Sequence, residues 1–309
     1  MKLTYFILML IIPKISSGQE IIFPGLKGDS LKNALVAFYT PSKILTYDQA
    51  RTKLYNDVFN LSDSLECFYS GYKIPVDHNT SILSWTAKYG IQAEHLYPRS
   101  KGADKLPALA DLHHLVPAKA TVNTLRKNAP YKENDDLKTK YWLLNDKVFL
   151  VPDIRAIDEY SEYISGGFEP RENKKGDVAR SIFYFYTLYQ KQADKVDNRF
   201  FQSMIVDLCR WHRKDFVDSI EWKRTMAIGR IQGNVNPFVI DGTLAERCYC
   251  FGVIFQPLKI YTMELYPNPN KGLFYISIPD YSGQIIMTIK SDTGKLISTH
   301  YQMYLGLIS

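Results

Sequence analysis

The sequence GIQAEHLYPRS at residues 90–100, followed after a short basic loop by ADLHHLVPAKATVNTLRKNAPY at residues 110–131, decides the fold. It holds three of the six histidines of the chain, two carboxylates, and two asparagines with an arginine between them: His95, His113, His114, Glu94, Asp111, Asn123, Asn128 and Arg126. A general base, a hard-metal ligand and a cation that can bind phosphate are therefore available in one short stretch. These are the groups that metal-assisted hydrolysis of a phosphodiester requires.

The local pattern of this stretch predicts two strands followed by a helix. Residues 91–94 read as a short strand, which Pro98 stops because proline cannot continue in the interior of a sheet. Residues 112–116 read as a second strand, and Pro117 suits the first position of a helix. Pro130 disfavours the α conformation at the residue before it, so we expect the helix to end there.

The predicted helix has an apolar stripe and a separate polar face. The stripe consists of Ala118, Val122, Leu125 and Ala129. Lys119, Asn123 and Arg126 share the other face, which we expect to meet the end of the first strand. In a regular strand Glu94 and His95 point to opposite faces. Both can serve one site only if the strand ends or bends there, and the proline that follows favours such an ending.

Five motifs resemble those of the endonuclease I family of secreted nucleases, within the His-Me finger (ββα-metal) group. They are EHLYPRS at 94–100, DLHHLVP at 111–117, VNTLRKN at 122–128, VARSIFYF at 178–185 and GRIQGNVNPFV at 229–239. The resemblance covers residues 31–241 and preserves the order of the family's motifs. It implies an α+β fold, with a mainly helical nuclease domain built around a ββα-metal finger.

The resemblance implies a general base and a metal site. His95 would activate water, and Glu94 and Asn123 would be the direct protein ligands of one Mg²⁺, with Mn²⁺ or Ca²⁺ as substitutes. The chemistry of the residues agrees with these roles. An unperturbed imidazole has a pKa of about 6.5 and can take a proton at physiological pH. One carboxylate and one amide oxygen suit Mg²⁺, which prefers oxygen ligands and keeps several waters.

The family also implies an arginine that stabilises the scissile phosphate. Arg126 is the first choice for this catalytic role, and Arg99 and Lys101 are the alternatives as substrate-binding cations. Asn128 matches a further motif position and is expected to contact substrate. The remaining polar residues of the stretch are expected to support the ligands and the finger rather than react: Asp111, His113 and His114.

Length and charge are compatible with this interpretation. The chain has 309 residues, of which 46% are hydrophobic, and this is enough for one or two domains with a proper core. Its formal net charge of +6 suits a polyanionic substrate. Apolar periodicity predicts helices at residues 30–60, 178–193, 198–212 and 221–229, and residues 66–76 read as strand.

The two ends of the chain indicate export. Residues 1–18 read as a signal peptide, with Lys2 before an apolar run that is too short to span a bilayer. Residues 19–257 would form the nuclease domain. Residues 258–309 read as a small all-β module whose LYPNPNKG at 265–272 resembles the start of a type IX secretion sorting domain. The module lacks the usual last strand and basic end, so we interpret it as truncated; an ordinary β appendage is the alternative.

The cysteines fit an exported protein. Their even number permits one or two disulfides or free buried thiols and leaves the connectivity open: Cys67, Cys209, Cys248 and Cys250. A zinc site is disfavoured because the chain has no second Cys-x-x-Cys pair.

The sequence therefore predicts an exported, monomeric Mg²⁺-dependent endonuclease without a membrane span. It would act on DNA, with RNA as a further candidate. Sequence specificity should be low because phosphate contacts carry no direct sequence information. Cations near the motifs suit backbone binding: Arg99, Lys101, Lys105, Lys119, Arg126 and Lys127. The alternative is a non-catalytic, surface-displayed nucleic-acid-binding protein on a nuclease fold.

Overall fold

The computed structural model describes residues 21–60 and 62–253, together with four strands nearer the C-terminus. The predicted signal peptide at residues 1–18 lies outside the described residues. The chain separates into two compact units, Met1–Val253 and Ile254–Ser309. The domain limits predicted from the sequence, at residues 19–257 and 258–309, stay a prediction.

Eight α-helices occur among the described residues of the first unit. They are α1 (Gly28–Tyr39), α2 (Tyr47–Lys53), α3 (Ile82–Lys88), α4 (Ala120–Arg126), α5 (Lys175–Asp197), α6 (Ile205–Lys214), α7 (Ser219–Gln232) and α8 (Pro237–Ile240). Their ends follow from local chemistry. At α2 the Thr46 hydroxyl accepts from the backbone N–H of Gln49, whose side chain accepts from the Thr46 backbone N–H in return. Helix α7 begins at the Asp218 cap and ends at Gly233, whose left-handed φ of 83° suits glycine.

Short antiparallel strands complete the first unit. They are β1 (Ser64–Glu66), β2 (Lys73–Pro75), β3 (Ile91–His95), β4 (Leu115–Lys119), β5 (Tyr141–Leu144), β6 (Lys147–Phe149), β7 (Ser161–Ile164) and β8 (Gly167–Glu169). The first four form two separate pairs, β1–β2 and β3–β4, and the others form a sheet in the order β6-β5-β7-β8. The predicted α+β class and the predominance of helix are confirmed.

The core is built around α5, the longest helix of the described chain. Its aromatic residues are buried, and Phe183, Tyr184 and Phe185 are fully inaccessible to solvent. A disulfide between Cys209 of α6 and Cys250 fixes the π-helical turn Glu246–Cys250. Cys67 and Cys248 are free thiols, the first buried and the second half-buried.

The predicted finger is present, with a shifted second strand. Strand β3 pairs with β4, and His95 lies opposite Leu115. Residues 112–114, predicted as strand, instead form a 3₁₀ turn because the Asp111 carboxylate accepts from the His113 N–H. Pro117, predicted to start the helix, lies within β4. Its missing N–H is tolerated there because β4 pairs with β3 on one side only. Helix α4 ends at Arg126, before the predicted stop at Pro130.

The other predicted elements are largely confirmed. The helices at residues 178–193 and 221–229 lie within α5 and α7. Residues 30–60 contain most of α1, then α2 and the π-helical turn that follows it directly. The loop at residues 40–46 lies between α1 and α2. Residues 66–76 contain the end of β1, a turn and β2. The helix predicted at 198–212 is wrong in its first part, because α6 begins at Ile205.

The C-terminal unit contributes strands β9 (Glu264–Tyr266), β10 (Tyr275–Ser277), β11 (Gly283–Lys290) and β12 (Leu296–Tyr304). They form two antiparallel pairs, β9 with β10 and β11 with β12. A sorting-type β module stays a prediction. Throughout the described residues, no helix has the length and apolar character needed to cross a bilayer.

Candidate active site

A cleft of about 680 Å³ opens at the finger. Strand β3 supplies one wall, α4 and the residues after it a second, α2 a third, and the turn after β3 the rim. The lining residues are Tyr47, Arg51, Gln92, Ala93, Glu94, His95, Pro98, Arg99, Ser100, Asn123, Lys127 and Asn128. Strand β3 ends at His95. Because the regular strand stops there, the side chains of Glu94 and His95 can both face the same cleft.

The environment of His95 fixes which ring nitrogen carries the proton. Its Nε2 lies 2.9 Å from the carbonyl oxygen of Leu109. Because a carbonyl only accepts, Nε2 carries the hydrogen and Nδ1 of the neutral ring has the free lone pair. Burial, followed by the neighbouring His114, lowers the pKa of His95 to about 3, which keeps the ring neutral. The ring of Tyr47 stacks on the imidazole at 5.6 Å between centroids.

Glu94 is buried at the base of the cleft and paired on one side. Its Oε1 accepts a 2.6 Å hydrogen bond from Nη1 of Arg126. Burial raises the pKa of the Glu94 carboxyl, and the positive charge of Arg126 opposes this shift. The pairing with Arg126 engages Oε1, and the carboxylate lines the cleft, where it can serve a cation.

Arg126 occupies a different place from the one expected of a phosphate-binding arginine. Its guanidinium is fully buried, and it does not line the cleft. Besides Glu94 it donates to the backbone oxygens of His95, at 2.9 Å, and Leu96, at 2.8 Å. It also packs over the ring of Tyr131 at 4.6 Å. Arg126 therefore holds Glu94 and the end of β3 in position.

Asn123 projects from α4 into the cleft that Glu94 lines. Its Nδ2 donates to Oε1 of Gln92 at 3.2 Å, which directs its Oδ1 away from that contact. A carboxylate oxygen, an amide oxygen and room for water form a donor set suited to Mg²⁺. The residues present therefore fit a magnesium site.

Comparison with known proteins shows the family of the chain. The profile of the family described as Endonuclease I matches residues 27–242, well over half of the chain. The chain belongs to the endonuclease I family. A protein from Bacillus subtilis (strain 168) named extracellular ribonuclease is 28% identical over 242 residues, covering 73% of this chain and 76% of its own. One of the same name from Bacillus amyloliquefaciens is 27% identical over 241 residues, covering 73% and 75%. The resemblance stated from the sequence is confirmed, and family membership supports nuclease activity.

In this member of the endonuclease I family, the other residues that we expected to contact substrate do not all line the cleft. Arg99 and Asn128 line the cleft and are exposed, and Asn128 donates to the Ser100 hydroxyl at 3.2 Å. Lys101 does not line it. Its ammonium pairs with Asp197 at the end of α5, at 2.7 Å.

Asp111, His113 and His114 lie behind the finger and are all buried. Asp111 accepts from the hydroxyls of Tyr184 and Tyr189, each at 2.7 Å, and from Gln232 at 2.8 Å. His113 and His114 each direct Nε2 at a backbone oxygen, of Asn234 and Ala108 respectively. Burial would raise the pKa of Asp111, but the two histidines and these donors outweigh it and lower the pKa. The three residues thus join the finger to the helical core.

A cluster of three carboxylates lies outside the cleft and resembles a cation site. The ligand oxygens of Glu133, Glu169 and Glu172 lie within 4.8 Å of one another. The ammonium of Lys175 bonds to all three, with 2.7 Å to Glu169 and 3.2 Å to Glu133. The Lys175 ammonium therefore already occupies the centre of this cluster, and the cleft is the site that we consider for a metal ion.

Sequence reasoning missed two cleft residues, Tyr47 and Arg51 of α2. They lie more than forty positions before the first motif, and their apolar and helical pattern indicated only packing. Their spacing of four residues places both on one face of a helix. The sequence does not show which part of the fold that face contacts. With Arg99 and Lys127, Arg51 gives the cleft three cations against one carboxylate.

Proposed function

We propose that this protein is an exported, metal-dependent endonuclease that hydrolyses phosphodiester bonds of nucleic acids. One observation carries the proposal. In a member of the endonuclease I family, a neutral imidazole with a fixed tautomer shares a cleft with a carboxylate and an amide oxygen. The cleft adds cations at its rim, as a polyanionic substrate requires.

The residues would divide the chemistry as follows. His95 accepts a proton from the attacking water at Nδ1, while the Nε2–H bond to Leu109 keeps the ring oriented. Glu94 and Asn123 would hold Mg²⁺, with Mn²⁺ or Ca²⁺ as substitutes. When bound, the ion supplies stabilisation of the charge that develops on the phosphate and the leaving oxygen.

The phosphate would be held by the cations that line the cleft. Arg99, Arg51 and Lys127 line it, whereas the buried Arg126 does not. We therefore assign phosphate binding to Arg99 first, with Arg51 and Lys127 beside it and Asn128 as a polar contact. Arg126 would act on the reaction through the position and charge of Glu94.

DNA and RNA both offer the phosphodiester that this cleft would cleave. The two relatives are named ribonucleases, which makes RNA a substrate to test beside DNA. The reacting groups contact a phosphate and a water, which every nucleotide step provides, so cleavage should depend little on base sequence. The relatives' names also support an extracellular location, which agrees with the signal peptide predicted at residues 1–18. Surface attachment through a type IX module at residues 258–309 would be a further step of export.

A parallel digestion experiment tests the proposal. Purified protein is incubated with plasmid DNA and with a structured RNA, in Mg²⁺ and in chelator, beside the His95→Ala variant. Cleavage in Mg²⁺ that chelator and the variant both abolish is the expected result. Tight binding without cleavage of either polymer would favour a nucleic-acid-binding protein on a nuclease fold. Cleavage in chelator would overturn the metal assignment.

A further inference from the structure

A second groove lies on the other side of α2 from the cleft. Its volume is about 500 Å³, and its charged lining residues are Lys43, Asp48, Lys53 and Arg230. The relation between groove and cleft follows from the helix. Successive residues of an α-helix are rotated by about 100°, so Tyr47 and Arg51 share one face and Thr52 and Lys53 the opposite one. The first pair lines the cleft and the second pair the groove.

Two cations of the groove are available to a ligand. Lys43 and Arg230 are exposed, and neither side chain has a hydrogen bond or ion pair with any residue that the structure describes. The other charges are engaged, since Lys53 pairs with Asp57 at 3.1 Å and Asp48 with Arg51 at 3.3 Å.

The fold holds the two free cations together. The backbone N–H of Lys43 donates to the carbonyl of Gln232 at 3.1 Å, at the end of α7. Arg230 lies two residues earlier on the same helix. The side chain of Gln232 in turn donates to the Asp111 carboxylate behind the finger. The positions of these cations are therefore fixed relative to the finger that carries His95.

We propose that this groove binds backbone phosphates of the same nucleic-acid strand whose reacting phosphate lies at His95. An α-helix is about 10–12 Å across, and a B-form strand rises about 3.4 Å per nucleotide, so the strand would cross α2 in about three nucleotides. Arg51 stands on the cleft side of this path, and Lys43 and Arg230 stand on the far side. The inference rests on the proposed function and extends its substrate from one phosphodiester to a segment of polymer.

The test compares two double variants that lose the same charge. Lys43→Ala/Arg230→Ala removes the free cations of the groove. Lys140→Ala/Lys147→Ala removes two exposed lysines at the β5–β6 edge that line neither the groove nor the cleft. Each is assayed with polymeric nucleic acid and with bis-p-nitrophenyl phosphate, which offers a single phosphodiester.

The groove variant should raise KM for the polymer by about tenfold and leave kcat, and hydrolysis of the small ester, unchanged. The salt dependence of its binding should lose about two counterions, because each neutralised phosphate contributes about 0.9 to the slope. The control variant should resemble wild type. Equal KM in wild type and the groove variant would overturn the inference, as would the same rise in the control.

Binding in chelator separates this inference from the proposed function. A labelled oligonucleotide long enough to cross α2 and a labelled dinucleotide are titrated with wild-type protein and both variants. The groove variant should bind the longer ligand about tenfold more weakly than wild type and the dinucleotide equally well. That result without any cleavage by wild type in Mg²⁺ would overturn the nuclease assignment and support the groove. Equal weakening for both ligands would refute the groove.

Discussion

Replacing Arg126 by methionine should unfold the protein at a lower temperature, because this arginine holds a buried carboxylate. The guanidinium is fully buried and donates to Glu94, to the backbone oxygen of His95 at the end of β3 and to that of Leu96 after it. Methionine fills much of the space but offers no donor. Breaking a buried ion pair by removal of one partner costs about 3–5 kcal/mol.

This cost converts into a measurable shift in melting temperature. In a unit of this size each kcal/mol corresponds to about 2–4 °C, so Arg126→Met should lower Tm by about 6–20 °C. The lower half of the range is expected, because burial already raises the pKa of Glu94 and lets the carboxyl take a proton once Arg126 is gone. Thermal unfolding followed by circular dichroism at neutral pH, without metal, measures the shift.

Two further variants test whether loss of the Glu94–Arg126 ion pair causes the destabilisation. Glu94→Gln alone leaves Arg126 buried without its anion and should also destabilise. The double variant Glu94→Gln/Arg126→Met should cost less than the two single changes together, by an interaction energy of about 1–3 kcal/mol. If Arg126→Met stays within about 1 kcal/mol of wild type while activity falls by more than about a hundredfold, Arg126 contacts the phosphate and our placement of it is refuted.

The remaining predictions concern the general base His95, the metal ligand Asn123, the Tyr47 ring that stacks on His95, and the carboxyl of Glu162 outside the cleft. His95→Ala should lower kcat by about 10²–10⁴-fold with binding retained; a folded variant with activity close to wild type would remove His95 from the mechanism. Asn123→Ala should weaken Mg²⁺ binding in calorimetric titration, and an unchanged isotherm contradicts its role as a ligand. Tyr47→Leu should lower kcat more than it changes KM, whereas Tyr47→Phe keeps the ring stacked on His95 and should retain activity; a rise in KM alone would show that Tyr47 contacts substrate instead. Burial, followed by the nearby Glu169, raises the pKa of Glu162 to about 8. Because the protonated form is favoured in the folded state, this stabilisation is complete at low pH and is lost as pH rises through about 8. Glu162→Gln should therefore flatten the fall in Tm between about pH 5 and about pH 8, the window between the ordinary and the raised pKa of this carboxyl, and a parallel fall in both proteins would refute the assignment.

The finger could be predicted because its chemistry lies in contiguous sequence. Strand β3, the Glu94-His95 pair and the position of Asn123 on a following helix all follow from local pattern. The start of β4 could not be predicted. Asp111 turns the chain there, and its carboxylate is held by Tyr184 and Gln232, which are distant in the sequence. A local apolar pattern cannot show such contacts.

The burial of Arg126 was missed for a similar reason. A helical pattern places Arg126 near Asn123, but whether a cation faces solvent or a carboxylate depends on how closely α4 packs on β3. The early part of the helix predicted at residues 198–212 also failed. There the Asp197 carboxylate accepts from the Arg199 N–H and favours a turn, although the apolar spacing continued.

The four donors on Asp111 make the finger inseparable from the rest of the chain. One buried carboxylate accepts from the finger's own backbone, from α5 twice and from α7. A peptide of residues 90–131 would keep the proposed base and both proposed metal ligands, and it would lose three of those four donors. The catalytic stretch therefore cannot be transferred to another protein by itself. Grafting it onto another scaffold would require the tyrosines and the glutamine as well, and natural variation that preserves activity should change these distant positions together with Asp111.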